Sequence, residues 1–125
     1  MKSLRAWDDV AQKMLYAKPE QFDDMLGYRF DAHFETDKPV YMWGTGLKDR
    51  NGKEIYDMDI CEGEHAVYLI SWNDEKAQYQ AKVIKTRSVL SKHCSFPFWQ
   101  YVEDDGKCRF EVIGNRWDNP NLLEG

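Results

Sequence analysis

From Val40 onward the chain is punctuated by turn signals at short, fairly regular intervals, and this spacing constrains its fold more than any other feature. Asp49-Arg50-Asn51-Gly52, Glu62-Gly63, Asn73-Asp74 and Asp104-Asp105-Gly106 are runs of residues that tolerate or pre-shape tight turns. Segments this short suit strands joined by hairpins, and predict a meander or small barrel. His65 to Trp72 is nearly continuous in apolar residues (Ala66, Val67, Tyr68, Leu69, Ile70), the pattern of a central strand covered on both faces. The next run alternates, with Tyr79, Ala81 and Val83 on one face and Gln80, Lys82 and Ile84 on the other. Asn73 to Lys76 closes that hairpin. Phe96, Phe98 and Gln100 opposing Pro97, Trp99 and Tyr101, then Phe110 and Val112 opposing Arg109 and Glu111, predict two more strands.

The first third carries a weaker pattern. Leu4, Trp7, Ala11, Met14 and Leu15 fall at helical spacing, while Leu4 to Trp7 and Lys13 to Tyr16 also read as two short strands around Asp8 and Asp9. Pro19 at a first helical position, Phe22, Met25 and Leu26 on one face and Gly27 as terminator predict a short helix over 19–26. Asn119-Pro120 before Leu122 and Leu123 reads as an N-cap and first helical residue of a last turn. No linker, repeat or low-complexity tract divides the 125 residues, so we read one domain over 1–125, with an N-terminal extension of about 1–39 and a β core of about 40–118. Aromatic residues make up 14% of the chain, so a few large rings supply most of the buried area, which suits sheets better than helical bundles.

A net charge of -5 argues against duplex DNA as partner, because cationic side chains supply most of that affinity. Cys61, Cys94 and Cys108 are odd in number and scattered, which speaks against a disulfide framework and for a reducing cytoplasm. The basic start MKSLRAWDD meets acids instead of an apolar signal core, and no stretch approaches the roughly 18 apolar residues of a membrane span. No membrane association is expected.

Four clusters invite a chemical reading. Gly44-Thr45-Gly46 with Gly52-Lys53 lacks the spacing and the following Ser or Thr of a phosphate loop, so a turn is expected. Asp57 and Asp59, two apart, would share one face of a strand, but two carboxylates make a poor cation site, and Asp59 reads better as an acceptor of turn amides. His93 and Cys94 are adjacent, point apart on an extended chain and lack further ligands at metal-site spacing. Lys82, Lys85, Arg87 and Lys92 form a basic stripe almost free of acids, with Trp99 or Tyr101 as candidate nearby aromatics, the best hint of a binding surface. Small barrels bind single strands this way, but on an acidic protein such a stripe is more often a solvated face or a subunit contact.

Three segments together resemble the YopX family of small phage and prophage proteins. They are Arg5-Ala6-Trp7-Asp8 followed by Met14; Thr45-Gly46-Leu47-Lys48-Asp49-Arg50-Asn51-Gly52-Lys53-Glu54-Ile55-Tyr56 leading to Asp59-Ile60; and Val112-Ile113-Gly114-Asn115 leading to Asn119-Pro120. The chain departs from the pattern at Met58, where the family usually has glycine, and at Gly44, where an aromatic is more usual. The resemblance implies a mostly β fold, a small antiparallel SH3-like barrel with an N-terminal hairpin, to which the residue pattern adds one or two short helices. It implies Thr45, Gly46, Leu47, Asp49, Gly52, Ile55, Tyr56, Asp59, Gly114, Asn115 and Pro120 as scaffold residues. Positive φ is expected at Asn51-Gly52. The functional expectation is a phage or prophage accessory protein, an interaction or assembly module without catalysis or cofactor, self-associating and working with a phage or host protein in the bacterial cytoplasm. The alternative is single-stranded nucleic-acid binding through the basic stripe and Trp99, disfavoured by net charge.

Overall fold

The computed structural model describes residues 3–17, 34–86 and 94–124. The helix expected over 19–26 lies outside them. The described strands are β1 (Leu4–Asp8), β2 (Lys13–Tyr16), β3 (Val40–Lys48), β4 (Glu54–Tyr56), β5 (Asp59–Glu62), β6 (Ala66–Asn73), β7 (Gln78–Thr86), β8 (Ser95–Pro97) and β9 (Glu111–Asn115). They form two antiparallel sheets, ordered β2-β1-β3-β4 and β8-β7-β6-β5-β9. The mostly β, antiparallel expectation and the N-terminal hairpin both hold.

The hairpin prevails over helical periodicity because it gives Asp8 a use. The buried Asp8 carboxylate accepts the amides of Val10, Ala11 and Glu35 at 3.0, 3.0 and 2.7 Å, closing the turn and pinning a distant loop. All five residues of β1 are buried, since Arg5 and Trp7 face one way and Leu4, Ala6 and Asp8 the other. The doubly covered strand is therefore β1. Strand β6 sits third of five, as expected of a central strand, but only Ile70 is fully buried and Trp72 is exposed.

The main core gathers Ile55, Cys61, Ile70, Ala81, Phe98, Cys108 and Phe110. Tyr68 stacks on Phe110 at 4.4 Å and Tyr101 leans on the same ring at 4.6 Å, each such pair adding about 0.5–1.5 kcal/mol beyond its buried area. Gly63 is required here, since a Cβ would lie 2.8 Å from the Phe110 ring. Tyr101 is half-buried, packed on the core through one side of its ring.

Three further expectations are corrected. Strand β8 ends at Pro97, and Phe98–Tyr101 form a 3-10 turn that drops Phe98 into the core while leaving Trp99 outside. Ile84 is buried beside Val83, because the register of β6 on β7 shifts between Val67 and Tyr68 and breaks strict alternation. Asn119 precedes the 3-10 turn Pro120–Leu123 without a side-chain cap, and its Oδ1 instead accepts the Asn115 amide at 3.2 Å.

Candidate functional site

The family motif is scaffold, and its parts interlock. Asp49 is buried, and its carboxylate accepts the amides of Asn51 (2.9 Å), Lys53 (2.8 Å) and, across the molecule, Val112 (3.0 Å). One side chain therefore folds the β3–β4 turn and staples it to β9. Gly52 alone takes the positive φ, at 85°, and Asn51 does not. Thr45 donates from Oγ1 to the Ile55 carbonyl at 2.8 Å and accepts the Leu47 amide at 3.1 Å across the irregular β3–β4 pairing, where Gly46 has φ 82°. That geometry fills the suspected phosphate loop with its own bonds, and a Cβ on Gly44 would meet the Glu54 carboxylate. Ile55 is in the core and Leu47 packs against it. At the other end Gly114 pairs with Ile60, Asn115 accepts the amides of Trp117 and Asp118 at 2.9 Å each, and Pro120 opens the last turn.

Arg5 and Asp59 form a buried ion pair at 2.9 Å, each 2% exposed. Arg5 also donates to the Asp57 carbonyl at 2.9 Å and lies 4.7 Å over the Tyr56 ring and 6.0 Å from the Tyr16 ring, the two rings meeting edge to face at 5.5 Å. Its Nε is buried without a partner among the described residues. Asp59 accepts the Tyr56 amide at 2.8 Å, the turn role expected of it. Burial raises its carboxyl above the ordinary carboxylate value, against the pull of Arg5 and the Tyr56 amide. The charge partner was not legible, since nothing local links position 5 to position 59.

Asp57 and Asp59 do not share a face. Met58 between them has φ 70°, so the chain reverses and Asp57 turns outward, where its Oδ1 accepts the Trp72 amide at 3.0 Å. There it joins Tyr41 and Trp43 of β3 and Trp72 and Tyr79 of the β6–β7 hairpin around a cleft of about 250 Å³. Trp43 and Trp72 remain 47% and 43% exposed. Trp72 meets Tyr79 edge to face at 5.0 Å, and its indole donates to Asp74 at 2.7 Å. Burial raises the Asp57 carboxyl against the opposing pull of the Trp72 amide, then of Arg5 and the Met58 amide, and burial with the nearby Asp57 charge raises the Tyr79 phenol. The signal for this site was present in Tyr41 and Trp43 alternating against Met42, and in Trp72 continuing the Tyr68–Ile70 face beyond the core.

The basic stripe is only partly visible. Lys82 and Lys85 are both exposed, brought to the surface together by the β7 irregularity, and Trp99 is 66% exposed on the 3-10 turn after β8. Arg87, Lys92 and His93 lie outside the described residues. A larger opening of about 420 Å³ is lined by Arg50, His65, Tyr101 and Arg109, but Arg50 pairs with Glu111 at 2.7 Å and Arg109 with Glu103 at 3.5 Å. Cys61 and Cys108 are buried, and burial pushes both thiols up, Cys108 to about 11, so neither is a ready nucleophile. Among the described residues no three His, Cys, Asp or Glu converge to hold a metal, and no helix is long and apolar enough to cross a membrane.

Fold and site define a small, mostly β protein of two antiparallel sheets, tied by aspartate-centred turns and carrying exposed rings around an outward carboxylate. The family described as YopX protein matches residues 3–124, and the chain belongs to that family. Among solved structures it is similar to protein EF1440 from Enterococcus faecalis, at 23% identity and a TM-score of 0.58 over 99% of both chains, a likeness of fold. No curated protein matches the chain.

Proposed function

We propose that this chain is a non-catalytic interaction module of a phage or prophage, self-associating and working with phage or host proteins in the bacterial cytoplasm. One observation carries the reading: among the described residues the buried charged groups Arg5, Asp8, Asp49 and Asp59 are all spent on holding turns and strands, whereas the surface keeps Trp43 and Trp72 exposed beside a carboxylate. Half-exposed tryptophans are costly to leave wet and are the residues that dominate protein interfaces. The phage setting rests on the resemblance of the motifs. Light scattering on the purified protein tests self-association. A mass above the 14.8 kDa of one chain is expected, and a strictly monomeric mass at high concentration would remove the oligomer from the reading.

A second reading has one observation in its favour, the shared exposure of Lys82, Lys85 and Trp99. Fluorescence anisotropy with labelled single-stranded oligonucleotides separates the two, and absence of binding even at low salt eliminates the nucleic-acid role.

A further inference from the structure

The cleft over Asp57 is built from chemistry that the molecule already uses once. Inside the fold, Arg5 is held by an aspartate at 2.9 Å and lies over the Tyr56 ring at 4.7 Å. At the surface, Trp43, Trp72 and Tyr79 line a cleft with Asp57, again bringing aromatic rings and a carboxylate together. A cation is attracted to the face of an aromatic ring, most strongly tryptophan, and more so where water is partly excluded. The carboxylate has lone pairs beyond the one that takes the Trp72 amide.

Size and rigidity narrow the ligand. At about 250 Å³ the cleft is smaller than the roughly 300–1,000 Å³ of small-molecule sites and suits one long side chain. Trp72 is fixed at its indole by Asp74 and at its amide by Asp57, and its edge-to-face contact with Tyr79 sets two walls nearly at right angles. A preformed corner of this kind loses little freedom on binding. The chain's net charge of -5 and the carboxylate in the cleft favour a positive occupant and repel phosphate.

We propose that the cleft of Trp43, Trp72 and Tyr79 over Asp57 receives a lysine or arginine side chain from an exposed basic segment of a partner protein. This rests on the interaction-module reading and names the chemistry of the partner. The ammonium or guanidinium sits against the indole faces and bonds the carboxylate, while the aliphatic stem covers Tyr79.

The test is a titration of the labelled protein with a short peptide alternating lysine and glycine, followed through the indole N–H resonances of its five tryptophans. The same peptide with norleucine for lysine is the neutral control. Saturable shifts at Trp43 and Trp72 are expected, weakened about tenfold with norleucine and in Asp57→Asn, and lost in Trp43→Ala. Asp57→Asn keeps a side-chain oxygen for the Trp72 amide, so it is expected to fold. Equal binding of both peptides overturns the cation site but leaves an apolar docking face and the module reading intact. No shift at Trp43 or Trp72 at millimolar peptide also overturns the cation site, while the self-association in the module reading is tested separately by light scattering.

Discussion

Asp57 and Asp59 are two residues apart and live in opposite surroundings. Asp59 faces inward, paired with Arg5 and sealed from water, and its role is to hold β1 against the β4–β5 turn. Asp57 faces outward between tryptophans, and its carboxylate does little for the fold beyond one amide bond. The same side chain thus serves as scaffold or as recognition group according to which way one residue, Met58, turns the chain. If the contrast is right, damage on the Asp59 side shows as lost stability and damage on the Asp57 side as lost binding.

The largest effect is expected from the inner pair. Arg5→Met leaves Asp59 buried without its counter-charge, and breaking a buried pair this way costs about 3–5 kcal/mol. Urea denaturation checks it, and a loss under about 1 kcal/mol would show that the pair is not sealed as described. Adding Asp59→Asn, which keeps an acceptor for the Tyr56 amide, is expected to recover much of the loss, because the penalty lies in the stranded charge.

Asp49 extends the inward class. Asp49→Ala strands three amides, those of Asn51, Lys53 and Val112. Water reaches the turn amides more easily than the Val112 amide, so we expect a loss of about 2–3 kcal/mol rather than the sum of three full penalties. Amide exchange read residue by residue should quicken at both the β3–β4 turn and β9. Quickening at the turn alone would deny the cross-molecule staple.

How much of this was legible in the sequence follows from how local each cause is. Hairpins with Gly52, Gly106 or Asn73-Asp74 at their turns were readable because turn chemistry acts over a few residues. The fate of 98–101 was not, since Phe98 leaves the strand pattern to fill a hole made by distant Phe110 and Ile70. Strict alternation misplaced Ile84 for a similar reason, a shift in strand register that no single residue announces. Asp59 was correctly read as a turn acceptor, yet its pairing with Arg5 spans the chain. The aromatic cleft was missed because its walls come from both sheets, and only topology brings Trp43 to Trp72.

The outer aspartate makes a prediction of opposite sign. Burial, outweighing the Trp72 and Met58 amides and Arg5, leaves the Asp57 carboxyl raised from 3.8. The folded chain therefore keeps this proton to higher pH than the unfolded chain, and stability falls as pH rises through the raised value. Asp57→Asn removes that fall, so it should be slightly more stable than the parent at pH 7 and converge with it in acid, while binding cations more weakly. Asp8 runs the other way. Burial opposes its ionisation, but the amides of Ala11, Glu35, Val10 and Thr36 outweigh it and lower the carboxyl below 3.8. Its contribution is present above 3.8 and lost as pH falls through the lowered value, so Asp8→Asn should lose stability at pH 7 and little in strong acid. Urea midpoints measured across pH for both variants check the pair, and equal signs would refute it.

The smallest effect tests the hinge between the two aspartates. Met58 holds φ 70°, a left-handed conformation that side chains with a Cβ adopt at a cost, and the family's usual residue there is glycine. Its amide donates to the Ile70 carbonyl at 2.7 Å and its carbonyl accepts the Arg116 amide at 3.0 Å, so the strained turn is locked from both sides. Met58→Gly relieves the strain but loses half-buried side-chain contacts and gains freedom in the unfolded chain. We expect a net gain of about 0.5–1 kcal/mol, with the tryptophan resonances of the cleft unmoved. A loss of stability accompanied by moved cleft resonances would mean that the methionine side chain, and not the turn alone, keeps Asp57 facing outward; a loss with them unmoved would mean that lost contacts and unfolded-chain freedom outweigh the strain.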